Sequence, residues 1–556
     1  MSLETEEVAV SEIKAGQPFG LDTALVATID WDLSLKRVSH DVRSDFVYAP
    51  HLNFIYSRAG NEVIHTLKSQ LKAGSYSPGM PLTIEVPKSF RIHVITPNPR
   101  LGPNFSRPGS ILLPVDRLFY QALADEAAQV IDKKTDASRS FSHKLDPANG
   151  ASMFLPTRTC WSNLQTALKN HSQNADALYV VKVDVANFFG SLNQHILINV
   201  LSDSGYPKAL NSRLEAILTG FASERSSRGI LQGMYPSDLF GNFYLAPIDS
   251  VLKEHGVASA RYVDDIYVFV DSMKSADRLM RELIPALRNY DLVLNEAKSR
   301  IIPKSLLITE EPDLEALFSD AVEEISSQIE DDDFDADYGF QSEWDEAEPS
   351  DDDGETDDET EGEELELVAT KLLFNSIEEY PGHEESIERF CLPLFAKAES
   401  DYAVEHVLKD AFRRRPAMTQ IFASYLATFI EDEHVRIFLL KCLADEALVD
   451  WQKMWVVAAL SQVESAPDSY VSVMMQIAKD GSRHDALRAA AAVYIGRFGD
   501  HARRKALVAL YPAVTHYIQA AIYFSTRTWP PIERTNIKSW SAHGDLHKLV
   551  AAALKV

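Results

Sequence analysis

The sequence predicts an α+β region, in which helices back an antiparallel sheet, followed by an all-α region. In the first region, residues 260–270 contain two β-prone runs that meet at an acidic pair, and residues 178–183 form another apolar strand. Helical periodicity predicts one helix at 193–201, between the strand at 178–183 and the runs at 260–270, and another at 276–289, after those runs. From about residue 368, apolar residues recur at every third or fourth position, which predicts helices almost throughout.

The composition is that of a globular protein without an obvious covalent framework. The chain has 556 residues, which is enough for several domains with cores of their own. Cys160, Cys391 and Cys442 lie far apart and show no C-x-x-C spacing, so neither a zinc site nor a disulfide framework is indicated. No apolar run approaches the length of a membrane span, and the N-terminus is acidic. We therefore expect a cytoplasmic protein that does not bind a membrane.

The formal net charge of −28 is concentrated in one segment. Between Glu310 and Glu366 there are 28 acidic residues and no basic ones, so the remainder has 54 of each sign. A basic groove for nucleic acid can therefore exist locally, although the net charge of the chain gives no support for it. Such a density of charge predicts disorder over this segment. A solvated linker and a nucleic-acid mimic that occupies the groove are the two interpretations.

Three carboxylates stand out in the α+β region. Asp264 and Asp265 lie where the two β-prone runs meet, which places them at the tip of a predicted hairpin. Asp184 follows the apolar strand at 178–183, and an aromatic residue, Phe189, comes five positions later. Adjacent carboxylates on a tight turn repel each other, and a site that keeps them ionised usually supplies a cation. Mg2+ is the expected ion.

Two further motifs accompany the carboxylates. They are a Gln-Gly pair with Ser and Asn at fixed offsets, and an Asn-x-x-Lys segment: Gln232, Gly233, Ser237, Asn242, Asn295 and Lys298. In this order, the four motifs resemble the palm motifs of reverse transcriptases. The resemblance implies a right-hand polymerase with fingers and palm. It covers roughly residues 50–305.

In such enzymes, nucleotidyl transfer needs two metal ions about 4 Å apart, one activating the attacking 3′-hydroxyl and one stabilising the leaving pyrophosphate. The resemblance implies two Mg2+ ions, with Mn2+ as a substitute, held by Asp184, the backbone carbonyl of Val185, Asp264 and Asp265. It also implies that Lys298 protonates or neutralises the leaving group. A solvated lysine at a helix end is the alternative interpretation of Lys298.

Further residues are assigned to substrate binding by the same resemblance. Phe189 occupies the steric-gate position, where a ring crowds the sugar 2′ position and favours deoxyribonucleotides; ordinary core is the alternative. Gln232 and Gly233 would let the backbone approach the nascent base pair, because glycine permits close approach. Residues 107–117 resemble the Arg-Pro…Asp-Arg segment of group II intron and retron enzymes. Arg107 would clamp the incoming triphosphate through two donors, unless it is solvated surface charge.

The predicted domain plan has five parts. They are an N-terminal segment (1–45), fingers (46–177), a palm with the catalytic motifs (178–309), an acidic linker or insertion (310–366) and an α-helical repeat domain (367–556). Residues 485–493 and the helix after them resemble a HEAT-type unit, although no strict repeat is visible. The last part is therefore predicted to be HEAT-like.

A reverse-transcriptase core with a C-terminal helical-repeat region resembles the abortive-infection and related defence reverse transcriptases of bacteria. The resemblance implies an antiphage DNA polymerase that adds deoxynucleotides by copying RNA or without a template, and that can be primed by a protein hydroxyl. Deoxynucleoside triphosphates and RNA or DNA are the implied partners; a partner non-coding RNA and a homo-oligomer remain open. A catalytically inactive nucleic-acid-binding scaffold is the alternative. A nucleotide cyclase is disfavoured because its Gly-Gly-rich turn is absent.

Overall fold

The computed structural model describes residues 17–92, 94–95, 102–222, 226–307, 357–380, 382–409 and 411–555. The first sixteen residues and most of the acidic segment, residues 310–356, lie outside the described residues. The predictions made for those two stretches are therefore left as predictions. Within the described ranges, no helix combines the length and the apolar character that crossing a membrane requires.

The strands form two antiparallel sheets. Their bounds are Leu82–Arg91 (β1), Asn104–Ile111 (β2), Tyr179–Val183 (β3), Ala258–Tyr262 (β4), Asp265–Val270 (β5) and Arg300–Pro303 (β6). β1 and β2 form a two-stranded ribbon, and the others form a sheet in the order β4-β5-β3-β6. The predicted antiparallel sheet is confirmed, because β3 is the predicted apolar strand and β4 and β5 form the predicted hairpin.

Helices surround the sheet in the first half of the chain. They are Thr23–Thr28 (α1), Trp31–Asp41 (α2), Pro50–Ala73 (α3), Pro114–Lys134 (α4), Thr157–Ser172 (α5), Phe188–Ser191 (α6), Gln194–Asp203 (α7), Lys208–Phe221 (α8), Tyr235–Tyr244 (α9), Ala246–Glu254 (α10) and Met273–Asn289 (α11). α7 and α11 are the helices predicted from periodicity. α11 begins after Ser272, whose hydroxyl accepts the Ser275 N–H and so satisfies a free donor of the first turn.

The described residues after 357 form helices and no strand. The α-helices are Asp357–Asn375 (α12), Glu384–Lys397 (α13), Val404–Leu408 (α14), Ala411–Arg414 (α15), Thr419–Thr428 (α16), Glu433–Ala444 (α17), Asp450–Leu460 (α18), Asp468–Lys479 (α19), Asp485–Phe498 (α20), His501–Leu510 (α21), His516–Ser525 (α22) and Asp545–Ala553 (α23). α12 begins within the acidic segment for which disorder is predicted, and that prediction stays a prediction.

The chain divides into two compact units. The first contains residues 1–41, 61–81 and 112–312, and the second contains residues 42–60, 82–111 and 313–556. The four-stranded sheet therefore belongs to the first unit, whereas the β1–β2 ribbon and the C-terminal helices belong to the second. The predicted fingers segment, 46–177, is shared between the two units.

The core of the first unit fixes the sheet from behind. Leu164 and Leu168 of α5 belong to one buried cluster with Val180 of β3 and with Tyr267 and Phe269 of β5. Burying side chains of this size stabilises a fold by roughly 1.5–3 kcal/mol each. The ends of β3 and β5 that lead to the carboxylates are thus attached to a packed apolar layer.

The second unit joins the ribbon to the C-terminal helices. The Trp451 indole N–H donates to the Phe46 carbonyl over 2.6 Å, and His484 Nε2 lies 2.8 Å from the Thr83 carbonyl oxygen. Within the helices, α20 packs against α18, α19 and α22. A Cβ atom at Gly496 of α20 would lie 2.2 Å from the Ser525 Cβ atom, so the small residue permits this close helix packing.

Candidate active site

The register of the sheet places Asp184 beside the hairpin. β3 and β5 are antiparallel, with Val183 opposite Ile266. Asp184 directly follows Val183, and Asp265 directly precedes Ile266. The register therefore sets Asp184 beside the end of β5 that begins at Asp265, although 80 residues separate them in the chain. Strand pairing thus brings the first of the three predicted carboxylates to the hairpin that carries the other two.

The chain after β3 is held by the segment that follows α11. The Ala186 N–H donates to the Val293 carbonyl over 2.8 Å, and the Asn295 N–H donates to the Asp184 carbonyl over 2.8 Å. The Asp184 N–H donates to Ser299 Oγ over 3.3 Å. These bonds fix the backbone of Asp184 from both sides. They also position the loop that carries Lys298.

Lys298 pairs with the first carboxylate. Its Nζ atom lies 3.1 Å from Asp184 Oδ2, and the two side chains are 40% and 7% exposed, respectively. Opposite charges at this distance attract each other. The structure thus brings Lys298 into the candidate site, and its predicted role toward a leaving group stays a prediction.

The hairpin turn carries the second carboxylate. Because Tyr262 pairs with Asp265, the two residues of the turn are Val263 and Asp264. Val263 has a φ of 51°, which is the left-handed conformation that two-residue hairpin turns require. Asp264 is therefore at the tip, and Asp265 is the first residue of β5.

The electrostatics of Asp264 reflect this crowding. Burial is the main reason that the pKa of Asp264 is raised from 3.8 to about 7; the negative charges of Asp265 and Asp184 contribute to this rise, and Lys298 opposes it. The three carboxylates are thus close enough to act on one another. A divalent cation would relieve their repulsion and favour the ionised form of Asp264.

The donors suit Mg2+ in their chemistry. Carboxylate and carbonyl oxygens are the ligands that Mg2+ prefers. The backbone pairing at this point uses the carbonyls of Asp184 and Val293, so the Val185 carbonyl is not consumed by it. Within the described ranges, however, no three Asp, Glu, His or Cys side chains are arranged to hold a metal ion. The carboxylates of Asp184, Asp264 and Asp265 are thus neighbours, but they do not converge on one point.

Phe189 lies beside the start of the motif that contains the Gln-Gly pair. Asn187, with a φ of 49°, precedes the short helix α6, in which Phe188 is buried and Phe189 is partly exposed. A Cβ atom at Gly241 of α9 would lie 2.8 Å from Phe189 Cε1. The Phe189 ring therefore packs on α9, with part of its surface accessible to solvent.

The Gln-Gly loop is tied to the same place. The Ile230 N–H donates to the Phe189 carbonyl over 3.0 Å. Gly233 has a φ of 80°, a conformation that residues with a side chain rarely adopt, and it directly precedes Met234 and α9. Gln232 is partly buried. Contact of Gln232 and Gly233 with a base pair stays a prediction.

Arg107 belongs to the second unit. It lies in β2 opposite Val86, and its guanidinium carbon lies 4.7 Å from the centroid of the Phe46 ring. Burial and the nearby charge of Arg389 lower the pKa of Arg107. In the described part of the chain, no carboxylate pairs with Arg107, and its buried Nε–H has no acceptor. The predicted triphosphate clamp stays a prediction.

The sequence analysis missed Arg261, Asp249 and Ser142, and it named Asn242 only as part of the motif that contains the Gln-Gly pair. Arg261 is 1% exposed and pairs with Asp249, which is 3% exposed. Asn242 and Ser142 are hydrogen-bonded to the same cluster beneath the hairpin turn. An arginine within a buried strand was the available indication, because a buried charge requires a partner. Nothing in the sequence around Arg261 indicates that Asp249 is that partner.

Comparisons with known proteins define the class of this region. Residues 107–309 match the family model described as "Reverse transcriptase (RNA-dependent DNA polymerase)". This stretch is a reverse transcriptase domain, and it contains the three aspartates and the motifs around them. The comparison with curated proteins found no match.

Three solved structures of telomerases are similar to the chain. Telomerase from Candida albicans, in complex with a TWJ fragment of telomeric RNA, is 11% identical over 75% of this chain and 70% of that chain, with a TM-score of 0.30. The equivalent complex of telomerase from Candida tropicalis is 12% identical over 73% of this chain and 66% of that chain, with a TM-score of 0.30. Apo telomerase from Candida tropicalis is 10% identical over 89% of this chain and 74% of that chain, with a TM-score of 0.28. Similarities this low carry no argument about function.

The raised pKa of Asp264 predicts a pH-dependent stability of the metal-free protein. Its folded pKa of about 7 lies above the ordinary 3.8, so ionisation is easier in the unfolded chain and stability falls as pH rises from about 4 to 7. Asp264→Asn removes this penalty. At pH 8 in EDTA we expect the variant to be more stable by roughly 1–3 kcal/mol, with a difference that shrinks toward pH 4.

Urea unfolding of the full chain between pH 4 and pH 8 measures this difference. Asp271→Asn is the control, because Asp271 is an exposed residue just beyond the other end of β5 and its pKa is lowered by the hydroxyls of Ser275 and Ser272. Parallel pH profiles for wild type and Asp264→Asn would show that folding does not raise the pKa of Asp264.

Proposed function

We propose that this chain is a metal-dependent DNA polymerase of reverse-transcriptase type, which adds deoxynucleotides to a hydroxyl primer. One observation carries the proposal. Strand pairing sets Asp184 beside the hairpin that bears Asp264 and Asp265, and burial together with the negative charges of Asp265 and Asp184 raises the pKa of Asp264 to about 7. A site that crowds ionisable groups in this way is typical of catalysis rather than of folding alone.

In this proposal the metal ligands are Asp184, Asp264, Asp265 and the Val185 carbonyl. When bound, two Mg2+ ions, or Mn2+ in their place, would activate the attacking hydroxyl and stabilise charge on the transferred phosphoryl group. Lys298 balances the charge of Asp184, from which its Nζ atom is 3.1 Å away. An ammonium group so close to the reaction centre can donate a proton to the departing pyrophosphate.

Arg107 is proposed to bind the triphosphate. Its guanidinium is packed on Phe46 and has Arg389 as a neighbouring like charge. Two neighbouring guanidinium groups repel each other, and an anion that binds both offsets the repulsion. Gly233 and Gln232 are proposed to lie along the nascent base pair, since the left-handed backbone at Gly233 brings the main chain close to whatever binds there.

The wider role is proposed from the whole architecture. A reverse transcriptase domain followed by helices, proposed here to be HEAT-like repeats, is the arrangement of the abortive-infection and related defence reverse transcriptases of bacteria. We propose a cytoplasmic antiphage enzyme that copies RNA or extends DNA without a template, with a protein hydroxyl as one source of primer. Its proposed partners are deoxynucleoside triphosphates and RNA or DNA; a non-coding RNA and a second copy of the chain are further candidates.

A second candidate is a catalytically inactive scaffold that binds nucleic acid. It is favoured by the observation that Asp184 is already paired with Lys298 and that no three metal-binding side chains converge in the described part of the chain. The two candidates differ in one property, because only the polymerase incorporates nucleotides.

Incorporation of labelled deoxynucleotides by the purified full chain tests the proposal. With Mg2+ or Mn2+ we expect labelled product, and digestion with DNase or with protease separates free DNA from protein-linked DNA. Asp184→Asn and Asp264→Asn should each lower the rate by about a thousandfold or more, because a lost ligand disrupts both metals.

Asp271→Asn, an exposed change near the same hairpin, should retain the wild-type rate. Wild-type rates in either of the two aspartate variants would remove that residue from the site. A wild-type protein that binds nucleic acid and incorporates nothing with either metal would favour the scaffold.

Phe189 is proposed to select the sugar. If its partly exposed ring crowds the 2′ position, Phe189→Ala should raise the use of ribonucleotides relative to deoxyribonucleotides by about tenfold or more, since a steric clash is relieved. Competition between the two nucleotide types in one reaction measures the ratio. Phe188→Leu is the control, because Phe188 is its buried neighbour and should affect stability without changing the ratio. An unchanged ratio in Phe189→Ala would mean that the ring is core.

A further inference from the structure

The turn that carries Asp264 is strained. Val263 has a φ of 51°. A β-branched residue is a rare occupant of the left-handed region, because its side chain crowds the backbone there. Such a conformation persists only where the surroundings hold it. Since Asp264 is the next residue, the direction of its carboxylate depends on whatever holds Val263.

Two hydrogen bonds hold the Val263 backbone. Its N–H donates to Ser142 Oγ over 2.8 Å, and its carbonyl accepts Arg261 Nη1 over 3.2 Å. Both polar groups of the strained residue are therefore bound by side chains that approach it from within the first unit. A residue held at both of its backbone polar groups has little freedom to relax to an extended conformation.

Arg261 is itself fixed by a buried ion pair. Its Nε lies 2.9 Å from each carboxylate oxygen of Asp249, and its Nη2 donates to the Asn242 carbonyl over 2.9 Å. Its Nη1 donates to Asn242 Oδ1 over 2.5 Å. A buried, fully bonded guanidinium is rigid, because breaking any of these bonds leaves a charge without solvation.

Two serines complete the arrangement, and their hydroxyl groups differ in one contact. The hydroxyls of Ser140 and Ser142 lie 3.0 and 3.3 Å from Asn242 Oδ1, where each donates a hydrogen bond, and both residues are fully buried. Only Ser142 also accepts the Val263 N–H. Removal of the Ser140 hydroxyl should therefore affect only the stability of the cluster. Removal of the Ser142 hydroxyl should affect both the cluster and the turn.

We propose that Ser142 and Arg261 are positioning residues, which hold Val263 in its left-handed conformation and thereby direct Asp264 toward the metal site. Neither residue binds metal or substrate in this proposal. Asn242 and Asp249 act through Arg261 by fixing its guanidinium. The inference rests on the proposed function, because it assigns to these residues the task of setting metal affinity.

The test compares Ser142→Ala with Ser140→Ala in the full chain. Mn2+ binding is followed without nucleotide, from the electron paramagnetic resonance signal of free Mn2+, and thermal unfolding is measured in EDTA. Mutation of residues that orient a metal ligand without touching the metal typically changes metal affinity by about 10–100-fold. We therefore expect Ser142→Ala to weaken Mn2+ binding by about tenfold and Ser140→Ala to change it by less than about twofold, with similar losses of thermal stability.

Val263→Gly provides the second arm, because glycine adopts a positive φ without side-chain strain. Combined with Ser142→Ala, it should recover part of the lost Mn2+ affinity, and it serves as the test if Ser142→Ala alone is unstable. Equal weakening by Ser142→Ala and Ser140→Ala, wild-type affinity in Ser142→Ala, or no recovery with Val263→Gly would overturn the proposal. A wild-type chain that binds no Mn2+ would instead contradict the proposed function itself.

Discussion

Repulsion among three carboxylates is the constraint on which this site depends. Asp184 is brought beside the hairpin by the pairing of β3 with β5, where Asp265 begins β5 and Asp264 occupies the turn. Burial, together with the negative charges of Asp265 and Asp184, raises the pKa of Asp264 to about 7. In a protein optimised only for stability, such a cluster would be a defect. Its presence at the centre of a reverse transcriptase domain is explained if cations are part of the working site.

The surroundings counteract this repulsion by fixing the backbone. Left-handed residues occur at each loop that leads to the site: Asn187 before α6, Gly233 before α9 and Val263 in the hairpin. Each of these loops is tied to a neighbour by hydrogen bonds, as at Phe189 and Ser142. Backbone strain at functional sites is stable only when packing determines the conformation, and the apolar layer behind β3 and β5 supplies that packing.

The parts of this site that the sequence could predict are local. An alternating run, an acidic pair and a second run predict a hairpin, because side chains alternate on a strand and tight turns have few conformations. The partners of Arg261 could not be predicted, since Ser142 lies 121 residues before Val263 and nothing in the local pattern specifies their contact. For the same reason, the sequence could not predict that residues 82–111 belong to one unit with the C-terminal helices, because the contacts that join them link residues far apart in the chain.

Proton release on Mg2+ binding is the most direct test of this account. Titration calorimetry of the metal-free chain at pH 7, in buffers of different ionisation enthalpy, counts the protons that leave. With a pKa of about 7, the Asp264 carboxyl is about half protonated and should release roughly half a proton when the metal binds. Asp264→Asn should lose this release. Metal binding without proton release, or the same release in the variant, would contradict the account.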